Sequence, residues 1–321
     1  MVFCMQKENG NSEMRCVRKP NFFTKCAAAD LSINRQKSAS MRFKKGIFIN
    51  CPHAYESPET LIAAMKRVKA LGADGVQLSG MTDLDKAYAG FRNRIRTAAD
   101  SMELEICAVC GDIGVKFHDT ERREGLYETM KQMYDMALSR GTRIVTTHIG
   151  VVPAERTHPR YGVMLETFGT IAEIAASMGA YLANETGPEE APVLKAFLED
   201  VASPAAAVNF DPANIVMSTG EKAEEAAKIL GSYIVHTHAK DGVLLKKANL
   251  EVMYGVCRDP AFRKSDYCKE VLIGEGDVHW KAYLDTLEAM GYNGYLTIER
   301  EGSATQEADF AVEMRTLEQL I

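Results

Sequence analysis

From Phe43 onward, short apolar runs alternate with longer stretches whose apolar residues recur at helical spacing. The runs at 46–50, 75–78, 104–109, 143–148, 181–185, 206–211, 233–238 and 295–299 have the length and apolar character of buried strands. Between them, 58–71, 83–102, 122–140, 160–178, 191–201, 221–230, 280–290 and 305–320 read as helices. Boundary chemistry agrees. Ser57 precedes Pro58 and Glu59, an N-cap followed by the helical position where proline forfeits no hydrogen bond. Leu71-Gly72, Met178-Gly179 and Met290-Gly291 put glycine where helices end in a left-handed residue. Eight β/α alternations imply parallel strands, because parallel neighbours need a crossover helix. An open doubly wound sheet also alternates, but usually carries a glycine-rich phosphate loop after its first strand. Here that strand runs into Asn50-Cys51-Pro52-His53. The pattern therefore predicts an α/β fold, a single (β/α)8 TIM barrel over 41–321, preceded by an extension over 1–40.

Polar residues break the apolar runs at matching places. Their ends fall at His148, Glu185, Asp211, His238 and Glu299, and barrel enzymes build their sites at the C-terminal ends of strands. Alternation agrees. If Glu299 points inward, so do Thr297 and Tyr295, leaving Leu296 and Ile298 for the helices; if Asp211 does, so does Asn209, leaving Val208 and Phe210 outside. Interior carboxylates left ionised and unpaired are costly. One divalent cation held by Glu185, Asp211, His238 and Glu299 resolves that cost. Such an oxygen-rich set suits Mn²⁺ first, then Mg²⁺ or Co²⁺, with Zn²⁺ as a further alternative. Singly, each residue has a plainer reading, as a helix cap or a core hydrogen-bonding group; it is the repetition at successive strand ends that favours the ion.

Further candidates surround the set. His148, Asn214, His236, Lys240 and Asp241 are candidates for contacting substrate, with packing expected for His236 and helix capping an equal alternative for Asp241. Glu275 and Asp277 border a glycine turn, and Trp280 and Tyr254 are candidate sugar-stacking walls or ordinary packing. Cys107 and Cys110 form a C-x-x-C on one strand, where residues three apart face opposite ways, so the pair is poorly placed to hold a metal.

Charge and composition narrow the partners. The net charge is −6, and residues 1–40 carry seven basic against three acidic residues, so the remaining chain is near −10. That balance argues against nucleic acid as a partner. No apolar run reaches the roughly 18–20 residues of a membrane helix. The basic stretch 1–40 lacks the apolar core of a secretory signal and is expected to be disordered. Eight cysteines without framework spacing suggest free thiols, and so a reducing, cytoplasmic setting. A small molecule is the expected partner, bound by one chain or by a homo-oligomer.

The segments Ala183-Asn184-Glu185-Thr186, Asn209-Phe210-Asp211-Pro212-Ala213-Asn214 and His236-Thr237-His238-Ala239-Lys240-Asp241, together with Gly274-Glu275-Gly276-Asp277-Val278-His279-Trp280 and Thr297-Ile298-Glu299-Arg300, resemble the xylose isomerase-like barrel superfamily. More narrowly, they resemble its sugar phosphate isomerase/epimerase branch, which includes ketose 3-epimerases and inosose dehydratases. The resemblance spans 43–321. It implies Glu185, Asp211, His238 and Glu299 as metal ligands and Glu185 and Glu299 as a paired acid and base. Where epimerases of this branch commonly carry a histidine three residues after the metal aspartate, this chain has Asn214. The chain also reads Lys240-Asp241-Gly242 where an arginine often follows the metal histidine, and its stretch 242–271 is long for a minimal member.

The expected activity is a metal-dependent sugar isomerase or epimerase, abstracting a proton beside a polarised carbonyl or hydroxyl through an enediolate. A lyase, eliminating a β-leaving group from the same enolate, is the runner-up. A silent sugar-binding barrel, or an abasic-site endonuclease, which would call for more ligand histidines and a basic face, stands further back.

Overall fold

The computed structural model describes residues 43–80, 84–88, 90–301, 303 and 305–321. The extension expected over 1–40 lies outside them. Strands β1 (Lys44–Ile49), β2 (Gly75–Ser79), β3 (Glu105–Cys110), β4 (Ile144–Thr147), β5 (Tyr181–Glu185), β6 (Ala206–Phe210), β7 (Ile234–Ala239) and β10 (Tyr295–Ile298) close into a parallel barrel in the ring order β1-β10-β7-β6-β5-β4-β3-β2. The (β/α)8 fold read from the pattern is the one the chain adopts.

Outside the ring, the helices cover what the strands turn outward. Leu182, Val208, Phe210, Leu296 and Ile298 are fully buried in the layer between barrel and helices. Aromatic side chains fill the same layer, with Phe168 edge-on to Phe197 and Phe210 stacked on Tyr283. The first helix, Pro58–Ala70, begins with a reciprocal cap: Thr60 N–H donates to Ser57 Oγ (3.1 Å) and Ser57 N–H donates to Thr60 Oγ1 (2.9 Å). At the far end of Pro159–Met178, Gly179 takes φ +75° and closes the helix.

Three departures from the sequence pattern matter. The helix expected over 83–102 is instead Leu84–Ala87 and Phe91–Ser101, because Gly90 adopts φ +75° and starts the second piece. A short helix, Pro212–Ser218, follows β6 directly. The long stretch after β7 forms an antiparallel hairpin of β8 (Asp241–Leu244) and β9 (Cys268–Val271), with a loop and a short helix, Leu250–Met253, between them.

The opposite-face argument for Cys107 and Cys110 is overturned. The register of β2 on β3 slips between Val76 and Gln77, so that Gln77 pairs with Ala108 and Cys107 becomes the extra residue of a bulge. Cys107 Sγ lies 3.8 Å from the interior Thr297 Oγ1. Burial first, then the charges of Asp112, Glu185 and Glu299, push the Cys110 thiol up to about 12. Neither thiol belongs to the cluster of ligand-capable side chains described next.

Candidate metal centre

Four ligand-capable side chains converge at the C-terminal mouth. Glu185 ends β5, Asp211 follows β6 and caps the helix Pro212–Ser218, His238 lies in β7, and Glu299 follows β10. One donor atom from each lies within 4.8 Å of all the others, and all four residues are buried. Two donors on opposite sides of one ion are separated by at most twice a bond length, so bonds of about 2.0–2.4 Å reach them all after slight closure.

The hydrogen bonds aim the imidazole. Gln77 Nε2 donates to Thr146 Oγ1 (3.3 Å), which turns Gln77 Oε1 toward His238 Nε2 at 3.2 Å and His236 Nε2 at 3.1 Å. His238 therefore carries its proton on Nε2 and presents bare Nδ1 to Glu299 Oε2 (3.2 Å), Glu185 Oε1 (3.5 Å) and Asp211 Oδ2 (3.5 Å). His238 Nδ1 and Asp211 Oδ2 are both buried without a hydrogen-bond partner. A lone pair facing three carboxylates is repulsive unless a cation lies between them. In the absence of an ion a second proton must serve: burial opposes charging His238, but Glu299 and Glu185 outweigh it and hold its pKa well above the usual value. The donor set fits a divalent ion.

Surrounding groups fix the carboxylates. Asn209 Nδ2 donates to Glu185 Oε2 (3.2 Å) and Asn214 Nδ2 to Glu185 Oε1 (3.1 Å). Asn214 N–H and Thr186 Oγ1 tie down Asp211: the first donates to Asp211 Oδ1 (2.9 Å), and the second accepts from Asp211 N–H (2.8 Å). The Lys240 ammonium, 2% exposed, lies 3.0 Å from Glu299 Oε2, 3.2 Å from Glu301 Oε2 and 3.7 Å from Asp211 Oδ2. It is shared among several carboxylates, so the ligand set stays net negative and a divalent ion would offset it. Burial opposes the Lys240 charge, yet Glu299 and Asp211 keep its pKa well above the usual value; His238 first, then Lys240, hold Glu299 well below its own despite burial.

The remaining sequence candidates divide. His148 stands at the rim with Nε2 3.7 Å from Glu185 Oε1 and Nδ1 2.9 Å from Asp112 Oδ2. Burial opposes protonation of His148, but Glu185 and Asp112 override it and raise its pKa to about 9. Asn214 contacts Glu185 directly. His236 lies deeper, bonded to Gln77 and within 3.0 Å of Thr297 Oγ1, and burial followed by the charge of His238 lowers its pKa well below the usual value. It is 1% exposed. Asp241 is fully buried, and its oxygens accept from Gly242, Gly274 and Val278 N–H and from Trp280 Nε1. These bonds pin the hairpin to the 274–280 turn. Trp280 is consequently core, not a sugar wall. Asp277 accepts from Leu244 N–H in the same junction. Tyr254 donates to or accepts from Ser218 Oγ at 2.7 Å, close enough to Gly187 that a Cβ there would meet its hydroxyl at 2.5 Å.

Sequence reasoning missed Gln77, Asp112, Glu270 and Glu301. Interior alternation on β2 could have found Gln77, and the strand-end rule applied to β3 could have found Asp112. Glu270 arrives from the hairpin, where it accepts from Arg300 Nη1 (2.6 Å) and faces Lys240 at 3.6 Å. Nothing local marks it.

A closed parallel barrel with acidic and histidine side chains gathered at its C-terminal mouth is the architecture of a barrel enzyme. The family described as xylose isomerase-like TIM barrel matches residues 65–320, and the chain belongs to that family. Comparison with curated proteins yields no match. Among solved structures, the xylose isomerase domain protein from Planctomyces limnophilus is 26% identical, with a TM-score of 0.69 over 87% of this chain and 96% of that one. The probable 3-DHS dehydratase AsbF from Bacillus anthracis is 17% identical, with a TM-score of 0.68 over 86% and 99%. A D-tagatose 3-epimerase-like protein is 19% identical, with a TM-score of 0.64 over 87% and 97%. The latter two likenesses speak to the fold.

Proposed function

We propose that this chain is a divalent-metal-dependent sugar isomerase or epimerase in which Glu185 and Glu299 exchange protons with a carbon beside a carbonyl. The observation that carries the reading is the approach of both carboxylates to the bare His238 Nδ1, Glu299 Oε2 at 3.2 Å and Glu185 Oε1 at 3.5 Å. They belong to β5 and β10, three steps apart around the eight-strand ring, and so face one another across the mouth. Glu185, Asp211, His238 and Glu299 would hold the ion; when bound, it supplies positive charge beside the substrate oxygen. One glutamate takes the proton from carbon, and the other returns one to the opposite face in epimerisation or to the neighbouring carbon in isomerisation. Asn209 and Asn214 hold Glu185 in place, and Lys240 keeps Glu299 ionised and able to accept. Structural neighbours that include a D-tagatose 3-epimerase-like protein and an L-ribulose 3-epimerase agree with this class. Mn²⁺ is the first candidate ion on donor chemistry.

The Asp112–His148 pair favours elimination as a second reading. A protonated imidazole beside Glu185 is placed to give its proton to a departing hydroxyl, as a dehydratase requires.

Proton NMR of keto-sugars in D₂O tests the first reading. Metal-stripped protein should leave C–H signals intact, and protein reconstituted with Mn²⁺ should exchange them. Loss of water to an enone, seen by ultraviolet absorbance and abolished by His148→Asn while exchange persists, would select the dehydratase. No exchange with any of the four ions and no enone would dismiss both.

A further inference from the structure

A second polar group lies on the same face of the barrel, beside the proton-transfer residues but not among them. The loop after β3 carries Lys116 and His118, and the loop after β4 carries Gly150. A Cβ on Gly150 would sit 3.6 Å from Lys116 Cδ and 3.7 Å from His118 Nδ1, so glycine there keeps the space between the two side chains clear. Its φ of +104° is one that other residues adopt only under strain. Arg160 joins them from the second position of the helix Pro159–Met178, whose first turn has no acidic residue and whose dipole favours an anion.

Two nitrogens in this group are unspent. His118 Nδ1 and Arg160 Nη1 are buried without a hydrogen-bond partner. Among the nearby negative groups, Glu251 offsets Arg160 through its other terminal nitrogen, Asp119 pairs with Arg122 Nε at 2.6 Å, and Asp112 pairs with His148 Nδ1 at 2.9 Å while also interacting with Lys116. Burial, then the Arg160 charge, hold the His118 pKa below its usual value.

The group borders the ion site through two links. Gly150 follows His148 by two residues, and His148 Nε2 is 3.7 Å from Glu185 Oε1; the Lys116 charge also acts on Asp112, the hydrogen-bond partner of His148. We propose that Lys116, His118 and Arg160 hold an anionic group, a carboxylate or a phosphate, at the end of the substrate remote from the reacting carbon. The substrate is then a sugar acid or a sugar phosphate. This assignment of the substrate rests on the isomerase or epimerase reading; the anion site does not.

Isothermal titration of the full chain with inorganic phosphate and, separately, with glycolate tests it, alongside Lys116→Met, His118→Asn and a Mn²⁺ titration of each protein. One of the anions should bind wild type, with proton uptake as His118 charges. Each variant should weaken binding about tenfold or more, as loss of a charge-assisted bond implies, while Mn²⁺ affinity stays unchanged. The better-bound anion separates phosphate from carboxylate. Failure of both anions to bind wild type, or equal binding by the variants, overturns the site. Variant-sensitive anion binding without Mn²⁺ binding would keep the anion site and remove the metal-dependent reading. Mn²⁺ binding with exchange of neutral ketoses and no anion binding would do the reverse.

Discussion

Individual side chains here act through the groups that aim them. Glu185→Gln and Glu299→Gln keep size and one acceptor oxygen but lose basicity. Each should cut C–H exchange by about 10²–10⁴ with little change in thermal stability, and single-turnover deuterium washout reads it. Near-wild-type exchange in either variant would take that glutamate out of the mechanism. Gln77 is farther from the chemistry but sets which nitrogen of His238 is bare. Replacing a group that orients a ligand imidazole typically costs about 10–100-fold in metal affinity. Gln77→Leu should therefore weaken Mn²⁺ binding by about that factor, whereas a purely structural Gln77 would leave the titration unmoved.

At the scale of elements, the β8–β9 hairpin depends on one buried carboxylate. Asp241 accepts from three backbone N–H groups and the Trp280 indole. Gly276 packs so closely that a Cβ would lie 2.1 Å from Asp241 Oδ1 and 2.6 Å from Gly242 O. Asp241→Ala would strand four donors, and a loss on the order of 3–5 kcal/mol follows. Thermal melting should show it, along with weaker Mn²⁺ binding, because β8 follows directly on Lys240 and on the strand that carries His238. A melting temperature equal to wild type would show that the hairpin is held from elsewhere. The helix break at Gly90 and the bulge at Cys107 belong to this scale too. Each is a one-residue change in backbone path that hydrophobic periodicity does not register.

For the whole molecule, two linked equilibria follow. An ion that binds only the folded chain stabilises it by about 2.7 kcal/mol at a hundredfold excess over its Kd. Chelation should lower the melting temperature accordingly, and an unchanged melt would argue against an ion at the cluster. The second concerns Glu189, 4% exposed, whose Oε2 accepts from Val152 N–H (3.1 Å) while Oε1 has no partner. Burial pushes its carboxyl from 4.5 up to about 8, against a smaller pull from the Val152 bond. The folded state therefore binds this proton more tightly than the unfolded one. Its stabilisation is complete below about 4.5 and is lost as pH rises through about 8. Glu189→Gln stays neutral throughout. Its melting temperature should gain on wild type progressively from pH 6 to pH 9, and a pH-independent difference would show that Glu189 ionises freely in the fold.

Much of this was legible in the sequence because it is local. Strand and helix follow from periodicity, and the ends of β5, β6, β7 and β10 showed their acids and histidine because alternation and strand termini are properties of a few neighbouring residues. Outward Leu296 and Ile298 against inward Thr297 needed no knowledge of partners. What only the tertiary structure decided is who meets whom. Gln77 reaches His238 across 161 residues of chain and Lys240 reaches Glu299 across 59, contacts that exist because the barrel closes. Asp241 has the same composition and strand-end position as a ligand, yet N–H donors from 242 to 280 claim its oxygens first. A carboxylate's chemistry is in its residue type; whether it faces a cation, a proton or a backbone amide depends on which distant groups folding brings against it.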